Sequence, residues 1–126
     1  MNSKKRLFNF SIILTACIRP INMPFLERTS EVDRLNDYKT SFNKWCQNKQ
    51  IERIIFIENS GYDLSYFYEK AKRFPNKEIE IISTNLNDTF ENKLGKGYGE
   101  FLCLKEVFEN SITAKNTDYF IKITGR

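Results

Sequence analysis

The chain has no histidine, and this absence excludes the commonest forms of nucleophilic catalysis. Ser-His-Asp and Cys-His systems both need an imidazole base, and none is present among the 126 residues. The three cysteines, Cys17, Cys46 and Cys103, are odd in number and widely spaced. They therefore indicate neither a disulfide framework nor a zinc motif. A reducing, cytoplasmic location is the default expectation.

Long apolar runs are also lacking, and the longest candidate lies near the N-terminus. Residues 4–6 are basic, residues 7–14 are mostly apolar, and Thr15-Ala16-Cys17 follows, an order that imitates a lipoprotein signal peptide. The run is too short to span a bilayer and is rich in β-branched and aromatic residues, which favours a buried strand. Export with cleavage before Cys17 stays open as the less favoured alternative.

Charge of neither sign dominates. The chain has 20 Lys and Arg against 16 Asp and Glu, a net charge of +4, and these residues are scattered along it. This distribution argues weakly against a dedicated nucleic-acid binder and only slightly favours small anionic ligands or an acidic membrane surface. The length and the 40% hydrophobic content allow one domain over residues 1–126 with a modest core.

Only five glycines are present, yet three of them lie within Gly95-Lys96-Gly97-Tyr98-Gly99-Glu100. A glycine cluster that opens a helix lets the backbone approach an anion closely and offers it free N–H groups. The spacing is neither the P-loop nor the dinucleotide-binding fingerprint. It predicts a phosphate site with Lys96 as the cationic ligand. Glu100 could instead stabilise the helix by placing a negative charge in its first turn. Tyr98 could either stack on a ligand or simply pack against other side chains.

Apolar patterning predicts strands that alternate with helices. The expected strands cover residues 8–18, 51–57, 78–83 and 118–124, and the expected helices cover 31–48, 64–74 and 98–112, with a surface loop at 84–94. Thr29 or Ser30 would cap the first helix and Asp63 the second. This order predicts right-handed βαβ units and hence an α/β fold with an open, mainly parallel, Rossmann-like sheet.

Each predicted helix has an apolar face that we expect to be buried. In the first helix these positions are Val32, Leu35, Tyr38, Phe42 and Trp45; in the second they are Leu64, Phe67, Tyr68 and Ala71; in the third they are Phe101, Leu104, Val107 and Phe108.

Polar residues follow three of the four predicted strands. In open α/β sheets ligands bind at the carboxyl ends of the strands, so these positions predict a binding site. Each also has a purely structural explanation, as a turn at residues 58–61, a solvent-facing strand lysine, or a frayed terminus. The candidates are Thr15, Ala16 and Arg19, then Glu58, Asn59 and Ser60, and finally Lys122, Thr124, Gly125 and Arg126.

With these residues in view, the chain resembles a family of bacterial glycosyltransferases of polysaccharide biosynthesis, related to the GT-A nucleotide-diphospho-sugar transferases. The resemblance spans nearly the whole chain and rests on residues 13–16, 55–61, 95–100 and 122–126. It implies that Thr15 and Ala16 lie near the base and ribose of a sugar nucleotide. The turn at residues 58–61 would line the same cleft, and Lys96 with the backbone of residues 95–99 would face the diphosphate or its sugar.

The resemblance also implies an activity. A sugar would pass from a nucleotide-sugar donor to a saccharide or lipid-linked acceptor during synthesis of O-antigen, capsule or lipopolysaccharide, in the cytoplasm or at the inner membrane face. Charge on the departing diphosphate would be neutralised by Mn²⁺ or Mg²⁺, or by Lys and Arg. Thr124-Gly125-Arg126 stands where the superfamily usually carries a DxD metal motif. No protein metal site is therefore expected, and Arg126 could replace the ion.

The family continues into an acceptor-binding half, which supplies the general base, beyond the length of this chain. We therefore expect an incomplete GT-A-like donor half, truncated at the C-terminus, whose catalytic residues are unknown. Its uncovered sheet would need the missing half or a second copy as a partner. The alternative hypothesis is a catalytically inactive nucleotide-binding or assembly subunit that requires a partner chain.

Overall fold

The computed structural model describes residues 9–19, 30–85 and 95–124, without the side chains of residues 95–97. The predicted alternation of strands and helices is confirmed. A further short helix was not predicted, because its four residues are too few to show a helical period. The elements are β1 (Phe10–Ala16), α1 (Glu31–Gln47), β2 (Arg53–Glu58), α2 (Ser65–Ala71), β3 (Glu78–Ser83), α3 (Gly95–Asn110), α4 (Ile112–Lys115) and β4 (Tyr119–Thr124).

The four strands form one parallel sheet in the order β3-β2-β1-β4. β1 is central, since it pairs with β2 from Ile12↔Ile54 to Ala16↔Glu58 and with β4 from Phe10↔Tyr119 to Thr15↔Thr124. α1 and α2 pack on one face of the sheet and α3 on the other, as right-handed crossovers require. This is the open Rossmann-like α/β fold that the sequence predicts. Cleavage before Cys17 would remove its central strand.

The larger core lies between the sheet and α1 and α2. Phe42 of α1, Phe56 of β2 and Phe67 of α2 are fully buried. The rings of Phe56 and Phe67 stack with their centroids 4.5 Å apart, and Phe42 meets both rings edge-on at 5.5 and 5.3 Å. Edge-on and offset rings are the favoured aromatic geometries. This trio joins both helices to the sheet.

The predicted apolar face of α1 is partly wrong. Val32 is 66% exposed, whereas Tyr38 and Phe42 are buried as predicted and Leu35 and Trp45 are half-buried against the core. Val32 lies in the first turn of the helix and, at 3.6 residues per turn, about 120° around the axis from Tyr38. The remaining buried positions of α1 are Arg34, Ser41 and Cys46. The helix begins with Ser30 as N-cap, one of the two predicted caps.

Two aromatic predictions in α3 and one in α2 are also wrong. Phe101 and Phe108 are 56% and 52% exposed, and Tyr68 of α2 is exposed. Val107 is buried as predicted and Leu104 is half-buried, while Cys103, four positions before Val107 on the same face, is buried in place of the two phenylalanines. α3 begins at Gly95, three residues before the predicted start, so the glycine cluster forms its first turns. At α2 the N-cap is Leu64, and the Asp63 carboxylate accepts hydrogen bonds from Ser65.

Much of β4 is open to solvent. Within the described sheet this strand lies at one edge, and its Tyr119 and Ile121 are 57% and 49% exposed on the face that carries α1. An edge with exposed apolar side chains favours association with another strand or helix. In the described ranges no helix has the length and apolar content needed to cross a membrane.

Candidate functional site

A cavity of about 210 Å³ opens at the carboxyl edge of the sheet. It lies where β1 and β4 are neighbours, and from β1 the chain continues to β2 on the opposite side. The connections of an open sheet diverge at such a switch point, which leaves a crevice for a ligand. The described residues that line the cavity are Thr15, Ala16, Cys17, Arg34, Tyr38, Asn59, Gly99, Glu100, Cys103 and Thr124.

Glu58 holds two loops beside the cavity together. Its side chain is fully buried at the end of β2, where Oε2 accepts from the Ile18 backbone N–H at 2.7 Å and Oε1 accepts from those of Ser60 at 2.9 Å and Tyr62 at 3.2 Å. The Ser60 hydroxyl also donates to Oε2. Because every one of these partners is a donor, the carboxylate is satisfied within the protein. Its role in this structure is to brace the loops after β1 and β2.

Arg34 and Tyr38 of α1 hold the first residue after β1. The Arg34 Nε donates to the Cys17 carbonyl at 2.7 Å, and the Cys17 N–H donates to the Tyr38 hydroxyl at 3.0 Å. The Arg34 Nη2 donates to the same hydroxyl at 3.0 Å. Both side chains are buried and both line the cavity. Arg34 is the cationic side chain of the described lining, so it places a positive charge at this side of the cavity.

The opposite wall comes from the first turns of α3. Gly99 is buried in this wall, and Glu100 is held by an ion pair with Lys122 of β4. Gly99 is the fifth residue of α3, so the described part of this wall begins after the first turn of the helix. The cavity therefore has the second turn of α3 on one side and a buried guanidinium on the other.

Two of the three thiols are unreactive by burial. Desolvation raises the pKa of Cys46 to about 11 and that of Cys103, which lines the cavity, to about 12. Cys17 is half-buried. We expect iodoacetamide to modify Cys17 alone near neutral pH, because a pKa raised by two units lowers the thiolate fraction about 100-fold. Intact mass spectrometry of the folded chain will count the additions.

The Cys17→Ser variant is the matched control and should take up no label under the same conditions. In denaturant the native chain should take up label at all three cysteines. Rapid labelling of Cys103 in the folded chain would contradict its burial.

The structure brings six of the predicted site residues together around the cavity: Thr15, Ala16, Asn59, Gly99, Glu100 and Thr124. It places others elsewhere. Arg19 is exposed, with Nε donating to Glu31 at 2.9 Å and the guanidinium 5.2 Å from the Tyr62 ring centroid. Ser60 accepts from the Arg19 N–H at 3.1 Å.

The Glu58 carboxylate accepts the loop hydrogen bonds described above, and Lys122 forms the ion pair with Glu100. The ring of Tyr98 packs against that of Phe101, with 6.1 Å between the ring centroids. The predicted roles of Gly95, Lys96 and Gly97 depend on a region whose backbone is helical and whose side chains lie outside the described set. Gly125 and Arg126 also lie outside the described residues.

Four lining residues are not among the site residues predicted from the sequence: Cys17, Arg34, Tyr38 and Cys103. The pattern of α1 predicts only a core position for Tyr38, and Arg34 is one of many charged residues in that helix, so neither is distinguished as a site residue. A basic residue four positions before a tyrosine on one helix face is the only local indication. Their meeting with Cys17 depends on how α1 packs against β1.

Neither a protein family, nor a curated protein sequence, nor a solved structure matches this chain. Its class therefore follows from its own fold and cavity: an open, parallel Rossmann-like α/β domain with a crevice at the switch point of the sheet. Within residues 9–19, 30–85 and 95–124 there is no group of three or more His, Cys, Asp or Glu side chains placed to hold a metal ion.

Proposed function

We propose that this chain binds a nucleotide sugar and forms the donor-binding part of a glycosyltransferase that acts in bacterial polysaccharide synthesis. The observation that carries the proposal is the cavity between the carboxyl ends of β1 and β4. Ligands of open α/β sheets bind at this point. Six of the residues singled out from the sequence line this cavity, although the strands and helices that bear them are far apart along the chain.

The chemistry of the walls suits a phosphorylated ligand. Arg34 places a buried guanidinium beside the cavity, and α3, whose glycine-rich first turn precedes the lining residue Gly99, lies on the opposite side. A glycosyl transfer breaks the bond between the sugar and the diphosphate, so negative charge develops on the departing phosphate oxygen. Positive groups held in place before the reaction stabilise that charge in the transition state. A divalent ion bound with the diphosphate would serve the same purpose.

Thermal unfolding of the chain with a panel of nucleotide sugars tests the proposal. A donor at about one hundred times its Kd should stabilise the folded state by about 2.7 kcal/mol and so raise Tm by several degrees. Parallel scans with Mn²⁺, with Mg²⁺ and with neither will show whether a metal is needed. Free sugars are the negative control. If no nucleotide sugar raises Tm at millimolar concentration, the proposal is wrong.

Lys96→Ala with Lys105→Ala as its matched control tests the glycine cluster. Lys105 is exposed further along the same helix, so both variants remove one lysine from α3. Lys96→Ala should weaken donor binding about tenfold or more, since hydrogen bonds to charged groups contribute about 1.5–3 kcal/mol. Lys105→Ala should leave binding unchanged.

A second candidate is a nucleotide-binding assembly subunit without transferase activity. The exposed Tyr119 and Ile121 on edge strand β4 favour it, because they offer a strand and an apolar face to a partner chain. The two candidates differ in a transfer assay. Binding of a donor with transfer only after a partner protein is added would support the subunit.

A further inference from the structure

The two edges of the described sheet differ in the charge that they carry. The edge strand β3 has Glu78 and Glu80, and charged side chains on an edge strand discourage pairing with another chain. The other edge strand, β4, has Lys122 as its single charged residue, and that charge is paired with Glu100. Of the two edges, β4 is therefore the one suited to further pairing.

Apolar side chains flank β4 on both faces of the sheet. Tyr119 and Ile121 are about half-exposed on the face that carries α1. On the opposite face the ring of Phe120 packs against Phe108, which is itself half-exposed. A strand added beside β4 would contact both sets of side chains. Contiguous exposed apolar surface of this kind marks an interaction site.

We propose that two copies of this chain pair through β4, antiparallel, about a two-fold axis that passes between the two Phe120 residues. Asp118, an exposed residue that immediately precedes β4, then lies opposite the partner's Lys122, and symmetry forms the same pair a second time. Tyr119 lies opposite the partner's Ile121, and aromatic side chains form favourable cross-strand pairs with β-branched ones. The two sheets become one continuous sheet. This inference does not depend on the proposed function.

The charges select this register over its neighbours. Pairing centred on Asp118 or on Lys122 would oppose like charges, which destabilises a cross-strand pair. Pairing centred on Tyr119 or on Ile121 leaves neither charge opposite the other. The Lys122 ammonium has three donor hydrogens, so it can bind the partner's Asp118 while it keeps its ion pair with Glu100. Charge complementarity therefore favours a second copy as the occupant of this edge.

Sedimentation velocity of the chain over a range of concentrations measures the association. The native chain should change from monomer to dimer as the concentration rises. Asp118→Lys and Lys122→Asp each oppose like charges twice in a dimer of identical copies, so each should weaken dimerisation about tenfold or more. An equal mixture of the two variants restores both opposite pairs and should dimerise about tenfold more tightly than either variant alone. Glu69→Lys, which reverses an exposed charge on α2, is the matched control and should dimerise like the native chain.

Disulfide trapping tests the same register with variants that leave the charges in place, and it decides the matter if thermal unfolding shows that Lys122→Asp does not fold. In a Cys17→Ser background, Tyr119→Cys and Ile121→Cys bring their thiols to opposite positions only when the two variants are mixed. Opposite Cα atoms of antiparallel strands lie about 4.5–5.5 Å apart, a separation that a disulfide bridges. With oxidised glutathione, the mixture should give much more covalent dimer than either variant alone.

The outcomes separate this proposal from the proposed function. A native chain that stays monomeric at its highest soluble concentration would overturn pairing through β4. So would a dimer that both folded charge variants leave unchanged, or a mixture that associates no better than its components. Donor binding by such a chain would leave the proposed function standing. A monomer that forms a complex only with a different protein would assign the β4 edge to the partner of the second candidate function.

Discussion

Phe56→Ala will lower the free energy of unfolding by about 3–5 kcal/mol, the usual cost of removing a fully buried aromatic ring. Phe56 has no exposed surface and packs against Phe42 and Phe67. Its loss opens a cavity between the central strands and both helices on that face. Small domains have a total stability of about 5–15 kcal/mol, so this variant will be marginally folded. Urea denaturation followed by circular dichroism measures the change.

Phe108→Ala is the matched control, because it makes the same chemical change at a half-exposed position of α3. Phe108 makes one aromatic contact, with Phe120 at 5.0 Å between ring centroids, and losing it should cost about 1 kcal/mol or less. Equal destabilisation by the two variants would show that the aromatic trio is not the centre of the core.

Glu58→Gln will lower the free energy of unfolding by about 2–4 kcal/mol, since it replaces one of two acceptor oxygens with an NH₂ donor that faces other donors. The carboxylate accepts from the backbone N–H groups of Ile18, Ser60 and Tyr62. Hydrogen exchange of these three amides should speed up more than exchange in the strands. Nucleotide binding should weaken in parallel, because the loops after β1 and β2 carry Cys17 and Asn59 of the cavity wall.

Glu69→Gln removes the same charge from an exposed position in α2, where Glu69 pairs with Lys72 at 3.2 Å. Exposed ion pairs contribute little, so this control should change stability by about 0.5 kcal/mol or less. If Glu58→Gln behaves like Glu69→Gln, the buried carboxylate does not hold the two loops.

The fold was largely predictable because its signals are local. Continuous apolar runs such as residues 54–57 indicate a strand covered on both faces, and the structure buries all four. The turn predicted at residues 58–61 does end β2, although Glu58 is still the last residue of the strand. Gly61 has a positive φ of 72°, which glycine adopts without strain. The errors lie on helix faces. An apolar residue such as Val32 or Phe101 gives the same local signal whether its helix turns it inward or outward.

The site was less predictable, because its members come together through packing. Thr15, Asn59 and Thr124 could be grouped from the sequence, since the ends of parallel strands meet at one edge. Arg34 and Tyr38 reach the same cavity only because α1 lies against β1. Asn59 and Cys103 meet at the cavity because α3 packs against β2, and no spacing rule connects residues 59 and 103.

The sequence by itself determined the alternation of strands and helices, and through the handedness of βαβ crossovers it determined a parallel sheet whose strands all end at one edge. These properties follow from apolar periodicity and backbone chirality, which act over short stretches of chain. Tertiary structure alone decided that Glu58 braces two loops, that Lys122 pairs with Glu100, and that Arg34 donates to the Cys17 carbonyl. Hydrogen bonds and ion pairs between distant segments depend on distances of a few ångströms, and only the packed chain sets those distances.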